Sequence, residues 1–124
     1  MDILTQDRTA GAGHYLVSEA QGYRSREQAI VASGAGKLRA GTVLGRITAS
    51  GKLSTFAPGA ADGSEKAVAI LWEGCDATAQ DVRRTITARD AEVHADALNW
   101  GAGTTDAQKT AAMASLAALG IVGR

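Results

Sequence analysis

KLRAGTVLGRITASGKLSTF, residues Lys37 to Phe56, decides the fold class of this chain. Its apolar residues come in short runs, Leu38, then Thr42-Val43-Leu44, then Ile47, punctuated by Gly41 and Gly45. Branched side chains pack well on a pleated surface and lose rotamer freedom in a helix, so these runs read as strands. Ala49-Ser50-Gly51-Lys52 is small and polar enough to reverse the chain, and LSTF resumes as the partner strand. The stretch is therefore a hairpin, and none of its side chains is arranged for chemistry.

Working outward, QAIVAS (28–33) is a short strand closed by Gly34-Ala35-Gly36. On the other side, Pro58 starts a loop that contains the turn pair Asp62-Gly63. AVAILWE (67–73) is nearly continuous in apolar residues and reads as a central, buried strand. GCDATAQD (74–81) reads as a loop. VRRTITARD (82–90) alternates, with Val82, Ile86 and Ala88 on one face and Arg83, Thr85, Thr87 and Arg89 on the other; Arg84 breaks the pattern. AEVHADALNW supplies a further strand or a pair of short ones.

One helix is predicted near the C-terminus. Thr105 caps it, Gln108 completes a capping box, and Asp106 sits at the favourable end of the helix dipole. Ala112, Met113, Leu116, Ala117 and Leu119 form its narrow apolar stripe, and Gly120 ends it. IVGR then reads as a last short strand. Residues 1–27 show neither period and are read as an extended arm, leaving 28–124 as the β-rich domain. The fold class is mainly β with a small α element: short strands, tight hairpins and one Ala-rich helix.

The 124 residues suffice for one domain. Formal net charge is zero, which gives no electrostatic field for nucleic acid. No apolar run is long enough to span a bilayer, and the N-terminus lacks the pattern of a signal peptide. Cys75 is the single cysteine, so no intrachain disulfide forms, as suits folding in a reducing cytoplasm. Alanine accounts for 26 residues and Phe, Trp and Tyr together for five, so large core side chains are scarce. Association with sister chains or with a larger surface would add buried area.

Candidate chemistry is sparse. His14, Cys75 and His94 fit no metal-ligand spacing, and the acidic residues of the middle fit no calcium loop. Gly34-Ala35-Gly36-Lys37 lacks the rest of a phosphate loop and no helix follows it. Cys75 and Ser50 have no signature of a nucleophile around them. Arg83, Arg84 and Arg89 form the densest basic group, without the interleaved aromatics that single-stranded nucleic acid would stack on. AGTVLGRI is similar to the hairpins of biotinyl or lipoyl carrier domains, with Lys52 at the edge of the turn, although the flanking residues of such a lysine are missing. A small β-rich carrier or binding module is thus the alternative reading.

A longer succession of motifs carries a closer resemblance. SREQAIVASGAG opens the domain, LRAGTVLGRITASGKL gives the hairpin, and ADGSE leads directly into AVAILWE. DATAQDVRRTITARDAEV, LNW, a Gly-Ala-Gly link, the helix and LGIVGR follow. This order, from about residue 20 onward, resembles the lambda-type capsid-stabilising head decoration proteins of tailed bacteriophages. Two departures are the Gly101-Ala102-Gly103 link and the arginine-rich strand.

The resemblance implies a structural protein of the virion, without catalytic residues, cofactor or bound metal. Its partner would be the major capsid protein of the phage head, with no direct contact to nucleic acid or membrane. It implies homotrimers on the outside of an expanded head, at three-fold and local three-fold positions, made in the host cytoplasm. Within that reading the arm is expected to touch the capsid. Ile3, Leu4, Tyr15, Leu16, Val17 and Tyr23 would be its apolar contacts, and Arg24 and Arg26 would reach acidic groups. The other role open to the arm is lacing the trimer together. Trp100 is expected to pack with Met113 and Leu116, in the core or at the trimer seam.

Overall fold

The computed structural model describes residues 11–124. Their order is β1 (Leu16–Glu19), β2 (Arg26–Val31), β3 (Gly36–Leu38), β4 (Val43–Arg46), β5 (Leu53–Thr55), β6 (Ala67–Leu71), β7 (Cys75–Ala77), β8 (Val82–Thr87), β9 (Ala91–Val93), a 3₁₀ turn (Ala95–Ala97), α1 (Asp106–Ala117) and β10 (Ile121–Gly123). Strands β2-β5-β4-β6-β8 close into a barrel, which leaves no free edge within that sheet. A three-stranded sheet, β1-β9-β10, and a two-stranded ribbon, β3-β7, complete the β structure.

The hairpin forms over residues 43–55, while Leu38, expected within it, belongs to β3 and pairs with β7, and Ile47 lies beyond β4. β4 and β5 pair antiparallel, Leu44 opposite Thr55 and Arg46 opposite Leu53. β6 is central, flanked by β4 and β8, and four of its five residues are buried. The Asp62-Gly63 turn is an Asx turn, in which Asp62 Oδ1 accepts from the Ser64 N–H at 3.0 Å and from Ser64 Oγ at 2.5 Å. These bonds hold the Asp62 carboxyl below its usual range. The turn lies directly on β4, so a Cβ at Gly45 would come within 2.4 Å of the Ser64 carbonyl oxygen. Two motifs far apart in the sequence thus meet backbone to backbone, and only glycine at position 45 permits it.

Two cores result. The barrel interior holds Val31, Leu44, Leu53, Ala69, Leu71, Cys75, Ala77 and Ile86. The second core lies outside the barrel, with β6, β9, β10 and α1 around it. It contains Tyr15, Val43, Phe56, Ala67, Ile70, Val93, Leu98, Ala112, Leu116 and Ile121. The helix covers this second core from the barrel's flank. Its capping box is formed, with Thr105 Oγ1 accepting from Gln108 N–H at 3.2 Å and Gln108 Oε1 accepting from Thr105 N–H at 2.9 Å.

Several expectations need correction. Residues 11–27 are not an arm: β1 pairs with β9, and β2 begins at Arg26, across the supposed boundary at 28. Residues 1–10, the rest of the expected arm, lie outside the described residues. The supposed loop 74–81 contains β7, paired antiparallel with β3, Leu38 opposite Cys75. Cys-Asp-Ala carries no strand signature, and its pairing supplies the ladder instead. Thr87 lies on the β8 face it shares with Arg83 and Thr85 but is buried, because Tyr15 covers that face there. On α1 the buried positions are Ala112 and Leu116 alone; Ala117 and Leu119 are exposed.

Candidate functional site

The residues expected to meet a partner separate sharply. Ile3 and Leu4 lie outside the described residues. Tyr15 is completely buried, and its hydroxyl hydrogen-bonds Thr87 Oγ1 at 2.6 Å. Burial pushes its phenol well above the usual value. Tyr15 is therefore a core anchor and not a surface contact, a correction that follows from its partners arriving from β8 and β9. Leu16 is likewise packed against the second core. Val17 is 44% exposed, released by a bulge between Leu16 and Ser18 in the β1–β9 register.

Tyr23 is 81% exposed, the most exposed of the large apolar side chains among the described residues, and it sits on a firmly held turn. Gly22 gives that turn its positive φ of 74°. Ala20 N–H donates to Asp90 O at 3.0 Å, Arg26 N–H to Tyr23 O at 3.1 Å, and Ala88 N–H to Ser25 O at 2.8 Å. Ser25 is buried and donates through Oγ to Glu19 Oε2 at 2.7 Å. Arg89 Nη1 donates to the Arg24 carbonyl at 2.9 Å, while its other nitrogen pairs with Glu27. The Arg24 side chain is exposed beside Tyr23.

Arg26 is committed within the chain. It forks onto Glu19, Nη2 to Oε1 at 2.5 Å and Nε to Oε2 at 3.2 Å, and its guanidinium lies 4.5 Å over the Trp72 ring. The Arg26 hydrogen bond, followed by that of Ser25, holds the Glu19 carboxyl low, with burial opposing. The sequence reading missed Glu19, Ser25 and Arg89 as the supports of this turn. Nothing local marks them, since Arg89 acts across more than sixty positions.

Elsewhere the groups weighed for chemistry are dispersed. Cys75 is buried in the barrel core, and burial pushes its thiol up, which disfavours a nucleophilic thiolate. Lys52 Nζ is paired with Asp81 Oδ2 at 2.6 Å. Among the described residues no group of three or more His, Cys, Asp or Glu is placed to hold a metal. Trp100, Met113 and Leu116 come together at the second core. Trp100 is partly buried and meets Phe56 edge-on, ring centroids 6.0 Å apart. Beside them, Leu119 lines an apolar cleft of about 470 Å³ with Val68, Ala114 and Ala118.

A rigid closed barrel with a stiff turn that displays an aromatic and an arginine is a domain built for presenting surface. The comparison with known families gives that class its identity. The family model of the bacteriophage lambda head decoration protein D matches residues 4–121, so the chain belongs to this family of structural phage head proteins. No curated protein matches it significantly. Family membership places the chain with the phage capsid and replaces the carrier-module reading built on Lys52.

Proposed function

We propose that the chain forms homotrimers that bind the outer surface of an expanded head, at three-fold and local three-fold positions, and stabilise the shell against packaged DNA. The major capsid protein is the partner. The observation that carries this reading is the exposed Tyr23-Arg24 turn that follows the edge strand β1. Among the described strands β1 has a partner on one side only, and the N-terminal segment leads into it. Main-chain groups on a strand edge, a pre-ordered aromatic and a guanidinium are a good combination for gripping another protein. The contact set becomes Val17, Tyr23 and Arg24, together with Ile3 and Leu4 of the N-terminal segment. The apolar cleft at Leu119 supports association between sister chains, and three modest footprints per trimer reinforce one another by effective concentration.

Deleting residues 2–10 tests the role of the segment without touching Tyr15. The expected outcome is a soluble trimer by sedimentation equilibrium that no longer decorates expanded heads. A truncated trimer that saturates the heads with wild-type affinity would contradict it. A truncated chain that falls to monomers would assign the segment to lacing the trimer instead.

A further inference from the structure

The indole N–H of Trp72 is buried and has no hydrogen-bond acceptor among the described residues. Buried donors are nearly always paired, and an unmet one carries its full desolvation cost. Trp72 follows β6 and packs on the second core, so its ring is well placed for packing. Its nitrogen edge is covered by the turn at Gly13. A Cβ at Gly13 would lie 3.0 Å from Nε1 and 3.2 Å from Cε2. The same turn is tied to Trp72 through its backbone, Gly13 N–H donating to Trp72 O at 2.8 Å. Arg26 walls off the ring face.

The turn is held unevenly. On its C-terminal side Tyr15 is locked in the core, with Tyr15 O accepting from His94 N–H at 2.8 Å. Residues 11–14 are tied to the rest of the domain by the Gly13–Trp72 bond, by Leu16 N–H donating to Gly13 O at 3.0 Å, and by a His14 ring nitrogen 3.2 Å from Ala97 O. Closing the turn therefore keeps these few bonds and forfeits the indole bond.

We propose that residues 11–14 form a latch over Trp72, spring-loaded by the unmet indole donor, that opens about Tyr15 as a fixed pivot. When the turn lifts, water or a main-chain carbonyl reaches Nε1, and the bond gained offsets part of the cost of releasing the Gly13 and His14 bonds. Opening moves residues 11–14 without disturbing either core. The latch is a property of the free chain and stands apart from what the segment binds.

Native-state hydrogen exchange by NMR on the full chain tests it, with the Gly13 amide as reporter and the Leu71 amide, bonded to Thr42 O at 2.9 Å, as the mark of global unfolding. In the wild type, Gly13 is expected to exchange at least about 10-fold faster than Leu71, through local opening. Replacing Trp72 with its benzothiophene isostere keeps the shape and removes the N–H. Gly13 exchange is then expected to slow at least about 5-fold, the lower end for an unmet donor. Gly13→Ala, at a φ of 65° and against Nε1, is expected to hold the turn open and speed exchange at residues 11–14. Gly13 exchanging as slowly as Leu71 in the wild type would overturn the latch. So would exchange unchanged or faster in the isostere.

Discussion

The barrel interior and the second core are built from the same chain by opposite means. The barrel interior is all small and aliphatic: Val, Leu, Ile, Ala and one Cys. The second core collects the aromatic residues Tyr15 and Phe56, with Trp72 and Trp100 packed against it. The barrel's central strands meet through a tight hairpin, β4 with β5, and its curvature closes the ladder on itself. The second core joins residue 15, near one end of the described chain, to residue 93 and to residues 116 and 121 near the other end. A chain short of large side chains has spent its aromatics where no hydrogen-bonded closure is available. The barrel rests on backbone geometry, and the second core rests on side-chain volume.

That contrast is sharpened first by truncating the second core's anchor. Tyr15→Ala is expected to cost about 3–5 kcal/mol in denaturant unfolding, as for other fully buried aromatics. A loss of less than about 1 kcal/mol would return residues 11–19 to the status of an arm. The barrel is tested through its backbone. Gly45→Ala removes no contact, yet its methyl would meet the Ser64 carbonyl at 2.4 Å, so a cost of about 2–3 kcal/mol is expected. An unchanged Tm would show that the Asx turn does not press on β4.

Tyr15→Phe is a finer probe. It keeps the ring and strands the Thr87 hydroxyl, for an expected cost of about 1–2 kcal/mol near neutral pH. The pH dependence has a definite sign. The Tyr15 phenol is pushed above its ordinary value of 10.0, so above about pH 10 the unfolded chain loses this proton while the folded chain keeps it. Folding then weakens as pH rises, and only the wild type carries this contribution. The Tm gap between wild type and Tyr15→Phe should therefore narrow from pH 9 to pH 11.5; a constant gap would count against a buried phenol. The smallest effect is Tyr23→Ala, expected within about 0.5 kcal/mol of wild type, since 81% of that side chain's surface is already open. A larger loss would mean that Tyr23 packs on its own domain.

The same contrast explains what could be read from the sequence. β4, β5, β6 and the Asp62-Gly63 turn were legible because their signals are local: β-branched runs, a tight reversal and a turn pair. The helix cap was legible for the same reason. Tyr15 was not, because an isolated apolar residue has no period, and its partners Thr87 and Val93 lie more than seventy positions away. The burial of Thr87 was not legible either, since alternation predicts a face but not what covers that face. β7 escaped because Cys75-Asp76-Ala77 owes its strand to the ladder with Gly36–Leu38 and not to its own propensity. The turn at Tyr23 and Arg24 was half legible: both were expected to be available to a partner and both are exposed, while Glu19, Ser25 and Arg89, which fix the turn, were not picked out.

An electron cryomicroscopy map of expanded heads, incubated with the wild-type chain, tests the central claim most directly. It should show three copies of the barrel around each three-fold and local three-fold position on the outer surface. The Tyr23-Arg24 turn and the outer edge of β1 should face the shell, with residues 1–10 continuing onto it. Heads without added density, or copies that sit elsewhere or turn the β1 edge and Tyr23 toward solvent, would contradict it.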